Sequence, residues 1–199
     1  DDITISYGSA SGHTTPQTVL VGEDPDLVSA GDINADGFDD VCFVHYTLGE
    51  ITVLYGSISG HGSPQTISAG VKPCDISVGD INGDGYDDIA CCNETSDDIT
   101  VSYGSGTGHG APQTITAGDH PRLIGIGDIN GDIFGDIICT NQFDESITIS
   151  YGNSSGHGLP VTLDTTSVGI GASMALGDIN EDGFDEMVFV CDSGYLALI

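Results

Sequence analysis

Four stretches of the 199-residue chain set oxygen-bearing side chains at alternate positions of a nine-residue segment. The second reads Asp80-Ile81-Asn82-Gly83-Asp84-Gly85-Tyr86-Asp87-Asp88, with side-chain oxygens at positions 1, 3, 5 and 9 and glycine at position 6. Alternation brings these oxygens to one side of a tight loop, where the main-chain carbonyl of position 7 can join them. Three carboxylates, an amide and a carbonyl suit Ca2+, which takes about six to eight oxygens in flexible geometry, better than Mg2+, which demands a stricter octahedron and keeps waters. A helix–loop–helix calcium site needs Glu at position 12 and flanking helices. Here position 12 is Phe43, Cys91, Cys139 or Phe189, each inside an apolar run, so the loop belongs to a β-hairpin. The four loops hold 16 of the 31 acidic residues. Two carboxylates about 4 Å apart repel by roughly 4 kcal/mol at an effective dielectric of about 20, and a bound cation turns that repulsion into a folding contribution.

The elements that must position these loops recur with them. Tyr-Gly pairs begin at Tyr7, Tyr55, Tyr103 and Tyr151, each 48 residues after the last, and His13, His61, His109 and His157 keep the same step. A Gly-Asp-Ile-Asn tetrad begins at Gly31, Gly79, Gly127 and Gly177. A period of about 20–50 residues marks a solenoid, a propeller or an array. Each unit reads as four short strands. The first alternates apolar and small residues (Ile76-Ser77-Val78), and the second, after the acidic loop, is apolar on both faces (Val41-Cys42-Phe43-Val44). The third alternates cleanly (Ile99-Thr100-Val101-Ser102-Tyr103), and the fourth opens with Pro and is more polar, as an edge strand would be (Pro64 to Ser68). Four antiparallel strands in about 48 residues describe a propeller blade, and a β-solenoid coil is usually shorter. The fold class is therefore all-β, with blades over 26–73, 74–121 and 122–171, the end of a preceding blade over 1–25 and an incomplete blade over 172–199.

The D-x-N-x-D-G-x-x-D loop between two strands, four times in register, resembles the FG-GAP/VCBS repeats of integrin α-subunit propellers and related fungal lectins, and the resemblance covers nearly the whole chain. It implies Ca2+ ligands Asp32, Asn34, Asp36, Phe38 (carbonyl) and Asp40 in the first loop, and Asp80, Asn82, Asp84, Tyr86 (carbonyl) and Asp88 in the second. The third would supply Asp128, Asn130, Asp132, Phe134 (carbonyl) and Asp136, and the fourth Asp178, Asn180, Asp182, Phe184 (carbonyl) and Glu186. Tyr-Gly stands where the family often has Phe-Gly, and no Gly-Ala-Pro follows the second strand. Ile133 replaces the position-6 glycine, which predicts that the third loop is the weakest or most distorted. Glu186 lengthens the arm of the fourth.

Charge bounds the partners. With 31 acidic residues against only Lys72 and Arg122, the formal net charge is −29, which excludes nucleic acid bound through a basic footprint. No run of about 18 apolar residues exists to insert into a membrane. The chain opens mid-pattern at Asp1 without Met and reads as a mature or excised segment. Six cysteines (Cys42, Cys74, Cys91, Cys92, Cys139, Cys191) include no CxxC pair and leave the disulfide connectivity open. Sequons at Asn93 and Asn153 are predicted at surface positions as glycosylation sites. Acidity, sequons and cysteines point to an extracellular, secreted or cell-surface setting. The periodic histidines and tyrosines read as loop furniture and packing, and His45 and His120 break the period. No nucleophile motif, Cys–His signature or phosphate loop is present, so the chain reads as no enzyme. The expected function is a Ca2+-stabilised adhesion or structural scaffold whose partners are protein or glycan ligands or copies of itself, with a carbohydrate-binding lectin as the alternative. Third-type strands occur five times and the other types four, which disfavours closure of this chain into one ring and predicts a longer array, or neighbours that complete the end blades in a filament.

Overall fold

The computed structural model describes residues 1–9, 12–13, 15–166, 169, 173–190 and 196–198. Among these, all regular structure is β. The chain opens with β1 (Asp2–Ile5), the short hairpin β2 (Gly8–Ser9) and β3 (Gly12–His13), and β4 (Gln17–Leu20), which pairs with β1. Unit one comprises β5 (Pro25–Gly31), β6 (Asp40–His45), β7 (Glu50–Leu54), the hairpin β8 (Gly56–Ser57) and β9 (Gly60–His61), and β10 (Gln65–Ser68). Unit two comprises β11 (Pro73–Gly79), β12 (Asp88–Asn93), β13 (Asp98–Ser102) and β14 (Gln113–Thr116). Unit three comprises β15 (Pro121–Gly127), β16 (Asp136–Asn141), β17 (Ser146–Ser150), the hairpin β18 (Gly152–Asn153) and β19 (Gly156–His157), and β20 (Val161–Asp164). Unit four contributes β21 (Ser173–Gly177), β22 (Glu186–Val190) and β23 (Leu196–Leu198). Each complete unit is a four-stranded antiparallel sheet in simple order, β5-β6-β7-β10, β11-β12-β13-β14 and β15-β16-β17-β20. The last sheet, β21-β22-β23, takes β23 in the third-strand place, while β1 stays with β4.

The sheets stack face to face, with first strands side by side: β5 on β11, β11 on β15, β15 on β21. This explains the second strands, which are apolar on both faces. On β12, Ile89 and Cys91 join Cys42, Val44, Ile51 and Val53 of unit one, while Ala90 and Cys92 join Ile137 and Cys139 of unit three. On β16 the alternate residue, Ile138, turns instead to Met187 and Phe189 of unit four. Each fully buried aliphatic side chain contributes about 1.5–3 kcal/mol, and none of it is available to a sheet standing alone. On the far side of unit one, β1 and β4 supply Ile3, Ile5 and Val19 against Phe43 and Leu54.

Polar side chains close the ends of the second strands at one register position. Asn93 Oδ1 accepts the Gly70 N–H at 3.1 Å, and its Nδ2 donates to Asp98 Oδ1 at 2.7 Å and Thr100 Oγ1 at 3.0 Å. Asn141 repeats this with Gly118, Ser146 and Thr148. In unit one the same position is His45, buried, with Nδ1 2.6 Å from the Glu23 carbonyl and Nε2 2.8 Å from Thr52 Oγ1. The period that His45 breaks in residue type is thus kept in role. Asn93 was expected at the surface. It is instead 0% exposed with its amide nitrogen fully engaged, so the folded chain does not present it for glycosylation, whereas Asn153 is only half-buried.

The periodic tyrosines and histidines are partners across units. The Tyr55 hydroxyl accepts the His109 main-chain N–H at 2.8 Å and lies 2.7 Å from His109 Nδ1, with the rings parallel. Tyr103 and His157 repeat the pairing at 2.6 Å. The glycine before each histidine makes room, since a Cβ on Gly108 would lie 2.5 Å from the Tyr55 hydroxyl. Tyr7 approaches Gly60 in the same way. With the hydroxyl already accepting the main-chain N–H, its own proton goes to Nδ1, and this requires a neutral ring. Burial pushes the His109 and His157 pKa values down. Below the ordinary value near 6.5 the unfolded chain therefore binds protons that the folded chain refuses, and stability is lost as pH falls through that value. The acidic residues titrate as well, so a difference isolates the rings: the melting-temperature gap between the wild type and the His109→Gln/His157→Gln variant should shrink from pH 7.5 to 5.5. A gap that stays constant with pH would remove the histidines from the account.

Candidate metal centre

The acidic loops connect first to second strands and lie together at one end of the stacked sheets. Their geometry repeats almost atom for atom. In the second loop Asp80 Oδ1 accepts the N–H groups of Gly83 (2.7 Å) and Asp84 (3.2 Å), and Oδ2 accepts that of Gly85 (2.9 Å). Asn82 Oδ1 accepts from Asp84 N at 2.9 Å, and Asp84 Oδ1 from Tyr86 N at 3.0 Å. Position 1 thus winds the loop around its own carboxylate, as Asx turns do. Winding needs left-handed backbone at positions 4 and 6, and those residues have it: φ is 71° at Gly83 and 85° at Gly85.

The third loop was expected to be distorted by Ile133. It is not: Asp128 accepts from Gly131, Asp132 and Ile133 at 2.7, 3.0 and 2.8 Å, matching the second loop. Ile133 instead takes the left-handed conformation itself, at φ 74°, with its side chain 82% exposed. The hydrogen-bond network outweighs the steric cost of a β-branched residue there, about 1–3 kcal/mol. In the fourth loop Glu186 Oε2 accepts the Ile179 N–H at 2.8 Å, as aspartate does elsewhere, and its longer arm also takes Asn180 Nδ2 at 2.7 Å.

The position-9 aspartates do the most for the fold. Asp88 is 0% exposed; Oδ2 accepts the Ile81 N–H at 2.9 Å and Oδ1 the Gly104 N–H at 2.8 Å. Asp40 binds Ile33 and Gly56, and Asp136 binds Ile129 and Gly152, in the same way. Gly104 is the glycine of a Tyr-Gly pair, and a Cβ there would overlap the carbonyl oxygens of Asp87 and Ile33. This is the physical reason for the Tyr-Gly motif, which periodicity alone does not supply. Burial first, then the charges of Asp84 and Asp80, push the Asp88 pKa up to about 7 despite its amide bonds. Asp136 rises to about 6 for the same reasons, with Asp132 and Asp128 as its neighbours.

The first acid of two doubled pairs joins the loops to one another. Asp87 Oδ2 accepts the Asp32 N–H at 2.9 Å, and Asp185 Oδ2 accepts the Asp128 N–H at 2.9 Å, each from the next unit. The main chain repeats the stitch: Asp87 N to Asp32 O, Gly135 N to Asp80 O and Asp185 N to Asp128 O. At position 135 glycine is required because a Cβ would lie 2.7 Å from Ile126 Cγ2 and 2.8 Å from the Asp80 carbonyl oxygen. Between units two and three a carboxylate further along the sheet, that of half-buried Asp75 on β11, accepts the Ile124 N–H at 2.9 Å. The signal for these roles was present as the doubled acid before each second strand, broken at Gly135.

Among the described residues, no three His, Cys, Asp or Glu groups converge tightly enough to hold a metal with those side-chain types alone. The donor set of each loop also draws on the asparagine and a main-chain carbonyl, and it consists wholly of hard oxygens. The only basic side chains of the chain lie elsewhere, Lys72 3.6 Å from Glu94 and Arg122 3.4 Å from Gln142. No Lys or Arg side chain therefore balances the carboxylates of the loops.

The FG-GAP-like repeat family matches at residues 32–91 and again at 80–139, more than half of the chain. The chain belongs to the FG-GAP-like repeat family. No curated protein sequence matches it. Among solved structures, BBS1N, crystallised in complex with ARL6DN, aligns with TM-score 0.69 at 12% identity over 98% of this chain and 56% of its own. A Lactobacillus plantarum protein aligns with TM-score 0.57 at 14% identity over 100% and 63%. The exotype rhamnogalacturonan lyase YesX aligns with TM-score 0.57 at 16% identity over 94% and 42%. At such identities the likeness shows the β-propeller-type fold. This FG-GAP-like chain spans about half the length of BBS1N.

The strain at Ile133 gives a direct test. Ile133→Gly should stabilise the protein by about 1 kcal/mol, the relief of strain less the added unfolded-state freedom of glycine, and raise the melting temperature by about 2–4 °C. Thermal denaturation of both forms measures it, and a lower melting temperature in the variant would contradict the strain.

Proposed function

We propose that this FG-GAP-like chain is a non-catalytic, extracellular repeat scaffold whose stacked loops bind Ca2+ and whose role is adhesive or structural. The observation that carries the reading is the crowding around Asp88: a fully buried carboxylate whose pKa is raised by burial first and then by the charges of Asp84 and Asp80, with no Lys or Arg side chain to balance them. Asp32, Asn34, Asp36 and Asp40, and their counterparts in the other loops, would hold the ion, which supplies that balance. A repeat fold in complex with a protein partner, as in the BBS1N structure, supports a binding role. Self-association fits the inner face of β5, where Val28 is 65% exposed while its counterparts Ile76 and Ile124 are each 6% exposed.

A carbohydrate-binding reading is favoured by one feature, a cavity of about 430 Å³ between units one and two lined by Tyr55, Gln65, Thr107 and His109. Polar groups beside a tyrosine ring suit a sugar. A glycan array decides between the readings: a signal that Gln65→Ala abolishes favours the lectin, and an empty array together with sedimentation above the monomer mass favours the scaffold.

For the metal, each site held at about 100 times its Kd contributes about 2.7 kcal/mol. Excess EDTA should lower the melting temperature by several degrees and added Ca2+ should restore it. Asp84→Asn, which keeps the acceptor for Tyr86 N, should weaken Ca2+ binding measured by calorimetry. A melting curve indifferent to EDTA would end the calcium reading.

A further inference from the structure

Unit two differs from its neighbours at the inner end of its sheet. The pairing of β11 with β12 slips between Pro73 and Asp75, so that Cys74 and Asp75 together face Cys92. A bulge of this kind sets two residues against one and re-aims a side chain. Here it brings the Cys74 Sγ to 3.4 Å from the Cys92 Sγ. The counterparts in unit one are Asp26 and Val44, and in unit three Arg122 and Thr140. Among the described bulges, that of unit two alone carries cysteine on both strands.

We propose that Cys74 and Cys92 are an oxidation site that closes as a disulfide across this bulge, tying the two strands that flank the second acidic loop. Adjacent antiparallel strands lie about 4.5–5.5 Å apart at Cα, within the range a disulfide spans. Access is one-sided. Cys74 is half-buried and lines a cavity of about 240 Å³ with Asp26, Tyr46, Glu94 and Arg122, whereas Cys92 is fully buried. Cys139, also fully buried, hydrogen-bonds to Cys92 from unit three and is the competing partner.

The oxidant is a small-molecule disulfide reaching that cavity. The Cys74 thiolate attacks one of its sulfurs, forming a mixed disulfide and expelling one thiol. The Cys92 thiol then loses its proton, attacks the Cys74 sulfur and expels the second thiol. Two protein thiols are oxidised to one disulfide, and one small disulfide is reduced to two thiols. The hydrogen bond to Cys92 and burial hold the Cys74 thiol well above the usual thiol range, so the reaction should quicken about tenfold per pH unit.

The test treats the intact chain with oxidised glutathione at pH 7.5 and 8.5, blocks remaining thiols under denaturing conditions and maps peptides without reduction. The expected result is a cross-link between the peptides carrying Cys74 and Cys92, formed faster at pH 8.5, and a melting temperature about 5–10 °C above that of the reduced form. The gain should be absent in Cys74→Ala/Cys92→Val, whose valine is the residue unit one uses. Recovery of both cysteines in blocked form, of mixed disulfides only, or of a Cys92–Cys139 link would overturn the proposal. The wild-type map stands whether or not the variant folds.

Discussion

The fold hangs on a buried carboxylate at the start of the second strand in each of the three complete units. Asp40, Asp88 and Asp136 each accept one amide from their own acidic loop and one from the glycine two residues beyond the third strand. A buried charge is costly unless it is hydrogen-bonded, and a buried amide without an acceptor is costly too. The aspartate satisfies two amides and fixes the distance between loop and hairpin. Everything outward of it follows: the glycine approaches two carbonyls where no side chain fits, and the preceding tyrosine is aimed at the next unit.

Contacts between units then divide by level. At the loop end the connection is amide to carbonyl and amide to carboxylate; in the middle it is aliphatic packing; at the rim it is phenol to imidazole. Each complete sheet buries both faces, so no unit has a core of its own, as expected of repeat proteins whose stability resides in interfaces between neighbours. The acidic loops oppose this stacking by crowding like charges at one end. The bound cation proposed for them acts on that opposition, not on the aliphatic core.

What the sequence made legible was local. The 48-residue step, the four strands of each unit and the loop pattern rest on spacing within about ten residues, where alternation and glycine have direct geometric meaning. What it hid was pairing over longer spans. Tyr55 meets His109 and Asp32 meets Asp87, separated by 54 and 55 residues, and a period reports that positions are equivalent without saying which touch. Asn93 shows the other limit: a sequon is read from three residues, while its burial is decided by Gly70, Asp98 and Thr100. Ile133 shows a third, since a steric preference of one residue yielded to a network of amides around Asp128.

The joints between units are of two kinds. Units one and two, and units three and four, meet through the doubled acid, Asp87 or Asp185, whereas units two and three meet through Asp75 and need the bare Gly135. Units are therefore not freely exchangeable. Excising unit two would set Asp32 opposite Gly135 and leave its amide without a carboxylate, while excising units two and three together would set it opposite Asp185, which already knows the role. Excising unit three alone would set Asp80 opposite Asp185, so the soundness of a seam is decided by the unit that follows it and not by the number of units removed.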